Sequence, residues 1–414
     1  MPRRQRRQSV PPCPKRRGRF RSRRLQRALL AAALAVSAIA GTAGWALGSE
    51  QTAVTGPPPG TAAWRADRVL GRPLPDPGTA SPGRVAAFFA GLSPHRRALL
   101  VRRHPGVVGN LDGAPPALRY AANRRALHAE QVRARREAHA HGRTPEERTR
   151  ARARARRCAR LLAPGRHILA FDPRGRGQVA EVYGDLATAQ RTAVVVPGDD
   201  MDLATFDEPG RGEYGRPGPM AVSLRARMAA ARAGVRTAVI AWVGYTTPVG
   251  LGADAVTSRL ADAGAPRLVR FLRGLAHSGV PAPAVFCHSY GSVLCAAAAS
   301  GTSRRDARDL VLFASPGVHT DSVEGLHTPV RVWAARASGD WIGRVPHVRF
   351  LGVGHGGDPA GPGFGARIVT AGHTGGHAGY LAPGSAARSN FAAIALGSYA
   401  AVRCTRASQE CGGG

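Results

Sequence analysis

The chain has 414 residues, which is enough for one large domain of about 250–300 residues with appended segments. Its formal net charge is +33, yet Lys15 is its single lysine. This preference for arginine over lysine, with abundant Ala, Gly and Pro, indicates a GC-rich genome. The excess of basic over acidic residues is a separate feature, and it is concentrated in residues 1–27 and 124–160. Proteins that bind nucleic acids usually interleave aromatic and basic side chains, and Phe20 is the only aromatic residue in either stretch. We therefore expect no nucleic-acid partner.

The N-terminal region combines a basic segment with an uncharged one. Residues 1–27 contain no acid, and the twenty residues from 28 to 47 carry no charge. The first part of that run has the length of a signal-peptide core, and Ala38-Ile39-Ala40 resembles a cleavage site. The whole run is also long enough to span a bilayer. Both alternatives leave residues 1–27 in the cytoplasm, so we expect a secreted protein or a single-pass cell-membrane protein whose C-terminal domain lies outside. In the second case, residues 28–47 associate with the membrane.

The next two segments differ in composition. Residues 48–84 are rich in Pro, Gly, Ala and Thr, which predicts a linker. Residues 85–163 are predicted to form a helical subdomain: Ser93-Pro94 opens one helix, and a long Arg/Ala/Glu stretch is broken near Gly142. The charges of that stretch indicate a solvated helical face, and binding to nucleic acid or anionic lipid is the lesser alternative.

Residues 164–403 have the pattern of an α/β domain, and residues 404–414 form a tail. A hairpin is predicted around Asp172-Pro173-Arg174-Gly175-Arg176-Gly177. Apolar strand-like runs then alternate with helical segments, which is typical of a mostly parallel sheet covered on both faces. The predicted strands are Thr192–Val196, Val235–Val243, Pro283–Phe286, Leu310–Ala314, Val330–Ala334 and Arg367–Thr370. The predicted helices lie in Pro219–Ala233, Ala253–His277, Ser292–Ala299 and Arg388–Val402.

The most informative stretch surrounds Ser289. An apolar run ends in Cys287-His288-Ser289-Tyr290-Gly291, and a helix of small residues follows. This strand–turn–helix context forces a serine onto a strained elbow with its Oγ exposed. Gly291 is needed because the strand and helix backbones approach closely. The sequence therefore predicts Ser289 as a nucleophile, although an ordinary helix N-cap serine is the alternative.

A serine nucleophile needs a base and an acid that orients the base, and in such sheets they follow in the order Ser, acid, His. Asp340 lies just past a predicted strand and is the predicted orienting acid, with Asp358 as the runner-up in an Asx-turn before proline. His373 and His377 both follow the last predicted strand, and the chemistry alone does not separate them. His355 is a weaker third candidate for the base.

The predicted chemistry requires no cofactor. The glycine-rich sequence around His373 and His377 is unsuited to the helix on which His-x-x-x-His binds zinc, so we expect no metal. The oxyanion hole is predicted to use the backbone N–H of Tyr290 and that of Asp199, which follows the Thr192–Val196 strand. The carboxylate of Asp199 must then point away from the developing negative charge.

Several motifs together are similar to those of an actinobacterial α/β-hydrolase family of unknown function. They occur in the expected order over residues 85–403: Phe88-Phe89-Ala90-Gly91-Leu92-Ser93-Pro94, Gly109-Asn110-Leu111-Asp112-Gly113, Ala122-Asn123-Arg124, Val195-Val196-Pro197-Gly198, Trp242-Val243-Gly244-Tyr245, His288-Ser289-Tyr290-Gly291-Ser292, Ser315-Pro316-Gly317, Gly363-Phe364-Gly365-Ala366-Arg367 and Gly376-His377. The resemblance implies an α/β-hydrolase fold with an N-terminal helical subdomain and a catalytic triad of Ser289, Asp340 and His377. It favours His377 over His373 because Gly-His is the family's motif there. Cys287 departs from the usual Gly of the elbow, and Thr246 stands where the family often has Asp.

The cysteines are scattered along the chain. Cys287 and Cys295 flank the elbow and are expected to be packed free thiols, with close proximity as the alternative. In an exported protein, Cys404 and Cys411 would form a disulfide, which leaves Cys158 unpaired.

The sequence as a whole predicts a serine hydrolase that cleaves an ester or related acyl bond of a small-molecule or lipid-like substrate. The alternative is an exported or membrane-anchored binding or scaffold protein with an inactive hydrolase fold, because a fold alone does not determine function.

Overall fold

The computed structural model describes residues 50–210 and 212–405, all within one unit that spans Ser49–Gly414. Residues 1–49, including the predicted basic segment and the uncharged run 28–47, lie outside the described residues. Among the helices that are described, none is long and apolar enough to cross a membrane.

Within the described residues, eight strands form one sheet in the order β1-β2-β4-β3-β5-β6-β7-β8. β1 and β2 form an antiparallel hairpin, β2 pairs with β4 antiparallel, and all the other pairs are parallel. The strands are β1 (His167–Asp172), β2 (Gln178–Tyr183), β3 (Arg191–Val196), β4 (Thr237–Val243), β5 (Ala284–His288), β6 (Asp309–Phe313), β7 (Arg331–Ala335) and β8 (Arg367–Ile368). The predicted α/β architecture with a mostly parallel sheet is therefore confirmed.

Helices cover both faces of the sheet because its central strands are apolar on both sides. β4 and β5 are buried at every position. The helices of the α/β region are α7 (Pro217–Ala231), α8 (Arg259–His277), α9 (Tyr290–Ala299) and α10 (Ala386–Leu396). One apolar core joins the sheet to α8 and α9, and the other joins it to α7 and α10.

The N-terminal part of the described chain is helical. Its helices are α1 (Thr61–Ala66), α2 (Pro82–Ala90), α3 (Pro94–Arg103), α4 (Pro105–Val108), α5 (Pro116–His139) and α6 (Pro145–Leu161). Ser93 caps α3 as expected, and Thr144 and Glu147 form a capping box at the start of α6. The break near Gly142 separates α5 from α6, and Arg154 of α6 forms an ion pair with Glu137 of α5.

Residues 50–84 differ from the predicted linker, because they pack against the rest of the chain. Trp64 is fully buried and donates from its indole N–H to the Pro75 carbonyl over 2.7 Å. Asp67 accepts a hydrogen bond from His104 over 2.6 Å, and Val54 donates from its backbone N–H to the Thr246 hydroxyl over 3.1 Å. Pro and Gly are abundant here because the chain turns repeatedly while it crosses the surface.

The cysteine prediction was also wrong in one respect. Cys287 and Cys295 are both buried and joined in a disulfide, because the first turns of α9 fold back onto the end of β5. Cys158 is free and buried. Cys404 takes part in a disulfide and pairs with Val369 in a β-bridge, so the folded region extends past residue 403. Cys411, its predicted partner, lies outside the described residues.

Candidate active site

Ser289 occupies the tight turn between β5 and α9. Its backbone has φ 54° and ψ −128°, a left-handed conformation that is costly for a residue with a side chain. A Cβ placed on Gly291 would lie only 2.5 Å from the Pro197 carbonyl oxygen and 2.8 Å from that of Val196, so a glycine is needed because the start of α9 passes close to the end of β3 rather than, as expected, to β5. The turn is further held by Ser292, whose hydroxyl donates to the Ser289 carbonyl over 2.6 Å. This strained conformation projects the Ser289 side chain from the end of the sheet, and the residue is 8% exposed.

His377 lies between Ser289 and Asp340. Its Nε2 is 2.8 Å from the Ser289 Oγ, and its Nδ1 is 2.9 Å and 3.1 Å from the two carboxylate oxygens of Asp340. In this arrangement Nδ1–H donates to the carboxylate, and Nε2 is free to accept the serine proton. The loop that carries His377 needs a glycine before it, since Gly376 has φ 113°.

Asp340 is fixed in the turn that follows β7. Its Oδ1 accepts from the Ile342 backbone N–H over 3.0 Å, and its Oδ2 accepts from the Tyr380 hydroxyl over 2.8 Å. Burial tends to raise the pKa of the Asp340 carboxyl, but the hydrogen bonds and charge of its neighbours, chiefly His377, outweigh burial and hold the pKa below its ordinary value. Asp340 is therefore an ionised partner for His377 at neutral pH.

The other candidate residues are exposed or have partners other than Ser289. His373 is exposed, and His355 Nε2 contacts the Ala255 carbonyl over 2.7 Å. Asp358 forms an ion pair with Arg336 and accepts from the Ala360 N–H over 2.9 Å, which fits the Asx-turn interpretation.

Two further side chains hold His377 and were missed from the sequence. His288 is buried, and its Nε2 contacts the His377 carbonyl over 2.9 Å. Burial and the nearby His377 lower the pKa of His288 to about 3, so its ring is neutral and donates this hydrogen bond. Trp341 packs against the His377 ring with their centroids 4.9 Å apart. Both residues are adjacent in sequence to predicted site residues, and that adjacency is the only signal the sequence offered.

The predicted oxyanion-hole residues flank Ser289. Tyr290 is the first residue of α9, so its N–H has no partner within the helix and lies at the positive end of the helix dipole. On the other side, a Cβ on Gly198 would lie 2.7 Å from the Ser289 Cβ, so only glycine lets the loop after β3 approach the serine. Tyr245 supports this loop by donating to the Pro197 carbonyl over 2.8 Å.

Asp199 brings a carboxyl group to the same loop. Its Oδ1 is buried and has no hydrogen-bond partner among the described residues. Burial, and then the neighbouring Asp200, raise the pKa of Asp199 to about 8. The group is therefore mostly neutral at pH 7, which reduces the electrostatic conflict that a carboxylate would create beside the Asp199 N–H.

The site has no cluster of metal ligands in the part of the chain that the structure describes: no three His, Cys, Asp or Glu side chains are arranged to hold an ion. Its polar groups instead form a linear chain from Ser289 through His377 to Asp340. Such a chain can transfer the serine proton to a base and stabilise the resulting imidazolium.

Comparisons with known proteins agree with this topology. Residues 172–350 match the family model described as alpha/beta hydrolase. The chain has an α/β-hydrolase fold. This match and the order of the strands support a hydrolase.

Two curated relatives come from Mycobacterium tuberculosis, one from the CDC 1551 (Oshkosh) strain and one from H37Rv, and both are called uncharacterized proteins. Each is 30% identical over 348 residues, which cover 71% of this chain and 51% of the relative. The chain thus spans about half the length of the curated relatives it matches. A solved structure, a 2,6-dihydroxy-pseudo-oxynicotine hydrolase, aligns with a TM-score of 0.32 and 11% identity over 75% of this chain and 94% of that one.

Proposed function

We propose that this protein is a serine hydrolase that cleaves an ester or related acyl bond through Ser289, His377 and Asp340. The observation that supports this most directly is the continuous contact from Ser289 Oγ to His377 Nε2 and from His377 Nδ1 to Asp340, at 2.8 and 2.9 Å. It occurs at a strained elbow on an α/β-hydrolase sheet, which is the setting that activates a serine.

The proposed reaction follows from the positions of these groups. Ser289 Oγ attacks the carbonyl carbon while His377 Nε2 takes its proton, and the carbonyl oxygen becomes negative between the N–H groups of Tyr290 and Asp199. The tetrahedral intermediate collapses, the bond to the leaving alcohol breaks, and the alcohol takes the proton from His377. Water then attacks the acyl-serine with His377 again acting as base, which releases the acid and restores Ser289.

The proposal is tested by hydrolysis of soluble p-nitrophenyl esters with Ser289→Ala as the diagnostic variant. We expect kcat to fall by about three orders of magnitude or more, because no other group replaces the nucleophile. Ser300→Ala is the matched control, since Ser300 is an exposed serine at the far end of α9. Equal activity in both variants would rule out the mechanism.

The alternative is a binding or scaffold protein that retains the hydrolase fold without turnover. Complete triad geometry favours the enzyme, since an inactive relative has no need to keep the serine strained and the acid ionised. Lack of turnover by the wild-type protein on short and long acyl esters would favour the alternative.

A further inference from the structure

Large apolar side chains that face solvent are concentrated on two loops. Of the nine large apolar residues that are exposed in the described part of the chain, seven lie between residues 249 and 251 or between residues 341 and 353. We call these seven the apolar rim. Its members are Val249, Leu251, Trp341, Val348, Phe350, Leu351 and Val353. Leu351 is 87% exposed and Phe350 is 73% exposed, and such clustering marks an interaction surface rather than scattered surface residues.

The longer loop is attached to the candidate active site at both ends. At its start, Trp341 packs against His377. At its end, His355 packs edge-on against Tyr290, with ring centroids 5.6 Å apart. Between these anchors, Phe350 and Val353 exchange two backbone hydrogen bonds of 2.9 and 3.0 Å, which form a tight turn. Both ends of the loop that carries these exposed apolar side chains therefore contact residues of the candidate site, and a defined turn lies between them.

The shorter loop approaches the site from the oxyanion side. Asp200 donates from its N–H to the Pro248 carbonyl over 2.9 Å and accepts from the Gly250 N–H over 2.8 Å. Asp200 directly follows Asp199, so Val249 and Leu251 flank the predicted oxyanion hole. The two loops are also joined to each other, because the Gly354 N–H donates to the Val256 carbonyl over 2.8 Å.

The charged side chains of the longer loop are positive. Residues 341–357 contain Arg344 and Arg349 but no acid, and both arginines are exposed. The acids on either side of this range, Asp340 and Asp358, contact His377 and Arg336.

Two acids lie beside the shorter loop. Asp200 is exposed and accepts from the Gly250 N–H, and Asp254 is buried and paired with Arg259. Basic and apolar side chains on one surface are the combination that binds an anionic lipid interface. A second copy of the same surface would instead bring like charges together.

We propose that the apolar rim, with Arg344 and Arg349, docks this protein on the surface of anionic lipid and that the ester it cleaves is presented from that surface. This inference rests on the proposed hydrolase function and specifies its substrate as an acyl lipid at an interface. The rim residues enter the acyl region while the arginines contact the lipid phosphates, which places Ser289 at the level of the ester groups.

The test compares two substrates with the full-length protein. One is soluble p-nitrophenyl butyrate, and the other is a fluorogenic long-chain ester carried in vesicles of phosphatidylglycerol and phosphatidylcholine. The double variant Phe350→Ser/Leu351→Ser is expected to hydrolyse the vesicle ester about tenfold or more slowly, because two large apolar side chains are no longer transferred from water into the lipid. Its rate on the soluble ester should be unchanged. Val222→Ser is the matched control, since Val222 is 50% exposed on α7, outside the rim.

A second pair of variants tests the charge. Arg344→Gln and Arg349→Gln are each expected to lower the rate on anionic vesicles by about fivefold and to leave the rate on pure phosphatidylcholine vesicles unchanged. The fraction of protein that co-sediments with vesicles should fall in the same order among the variants as the rate does. All variants keep residues 1–49, so any membrane binding by that segment is the same in each.

The outcomes separate this inference from the proposed function. If the rim variant and Val222→Ser behave alike on vesicles while soluble ester is hydrolysed, the lipid-docking inference is wrong and the hydrolase stands. If the wild type hydrolyses neither ester, the proposed function fails, and this substrate inference fails with it. A wild-type dimer that dissociates in the rim variant would assign the surface to self-association and overturn lipid docking.

Discussion

At the scale of single residues, four neighbouring side chains hold His377 in place. Asp340 and Ser289 contact its two nitrogens, Trp341 packs against its ring, and His288 donates to its carbonyl. This places one tautomer in position to accept a proton, so in the proposed reaction the base is oriented by folding beforehand.

The two histidines of the glycine-rich loop give a direct contrast. We predict that His377→Ala reduces esterase activity by about three orders of magnitude or more, nearly as much as Ser289→Ala, because the base is removed. His373→Ala, four residues earlier in the same loop, should retain most activity. The kcat values of the two variants on a soluble ester decide the matter, and the opposite order would contradict the role given to His377.

Asp199 should affect the pH dependence of the reaction. Its pKa near 8, raised by burial and by Asp200, means that the carboxyl ionises in mildly alkaline solution, and Tyr245 and Tyr290 also face it. A negative charge there opposes the oxyanion, so we predict that kcat/KM falls as the pH rises through about 8. Asp199→Asn should remove this decline, which a pH–rate profile measures. An unchanged decline in the variant would contradict the prediction.

The same group affects stability in a defined direction. Because the pKa of Asp199 is raised on folding, the folded protein binds the proton more tightly than the unfolded chain. The contribution of protonated Asp199 to the free energy of unfolding is fully present below the ordinary pKa of a carboxyl, and it is lost as the pH rises through about 8. Asp199→Asn should therefore have a flatter dependence of unfolding free energy on pH over that range.

At the scale of elements, the elbow is braced by a covalent bond between its strand and its helix. Cys287 lies near the end of β5, Cys295 lies in α9, and the disulfide between them encloses Ser289 with a sequence separation of 8. The departure from glycine at Cys287 thus has a structural use, because a cysteine here links the two elements that position Ser289, the proposed nucleophile.

Reduction of this disulfide should lower stability. The loop-closure relation for a closed loop of this size predicts a loss of about 2.5 kcal/mol in unfolding free energy. The measurement is chemical denaturation with and without dithiothreitol, using Cys287→Ala/Cys295→Ala as control because it retains the disulfide of Cys404. If the reductant destabilised wild type and control equally, the bond would have no measurable role at the elbow.

The elements differ in how well the sequence predicts them. β3 to β7 were predictable because each is a continuous apolar run, and their ends differ from the predicted bounds by at most two residues. The contacts of residues 50–84 were not predictable, because Trp64 and Asp67 are held by partners distant in the chain whose positions depend on the completed fold. The disulfide was missed for the same reason, since only the strand–turn–helix geometry brings Cys287 to Cys295.

The site residues show the same division. Ser289 could be found because an elbow has a local sequence pattern, and Asp340 because it follows a strand. The sequence alone left His373 and His377 tied, because the loop that carries them has no periodic pattern. The support from His288 and Tyr380 depends on packing between the ends of different strands, which no local pattern reports.

At the scale of the whole molecule, the basic segment 1–27, the uncharged run 28–47 and the disulfides are consistent with one another. Disulfides persist in oxidising compartments. Cys287 is joined to Cys295, and Cys404 takes part in a separate disulfide. We therefore propose that the domain after residue 49 lies outside the cytoplasm, either released or anchored through residues 28–47.

The proposed location is tested with a reporter fused after Gly414. We predict that alkaline phosphatase, which needs an oxidising compartment, is active in this fusion and that deletion of residues 1–47 abolishes its activity. A reporter that is active only in the cytoplasm, such as a cytosolic fluorescent protein, serves as the reciprocal control. Phosphatase activity that is independent of residues 1–47 would contradict the proposed export signal.

The central claim is that Ser289 is an activated nucleophile, and covalent labelling tests it most directly. The folded wild-type protein is treated with a fluorophosphonate, and the modified residue is located by peptide mass spectrometry. The account predicts one adduct on Ser289, complete loss of labelling in Ser289→Ala, and normal labelling in Ser300→Ala. An adduct on another residue, or undiminished labelling of Ser289→Ala, would contradict it.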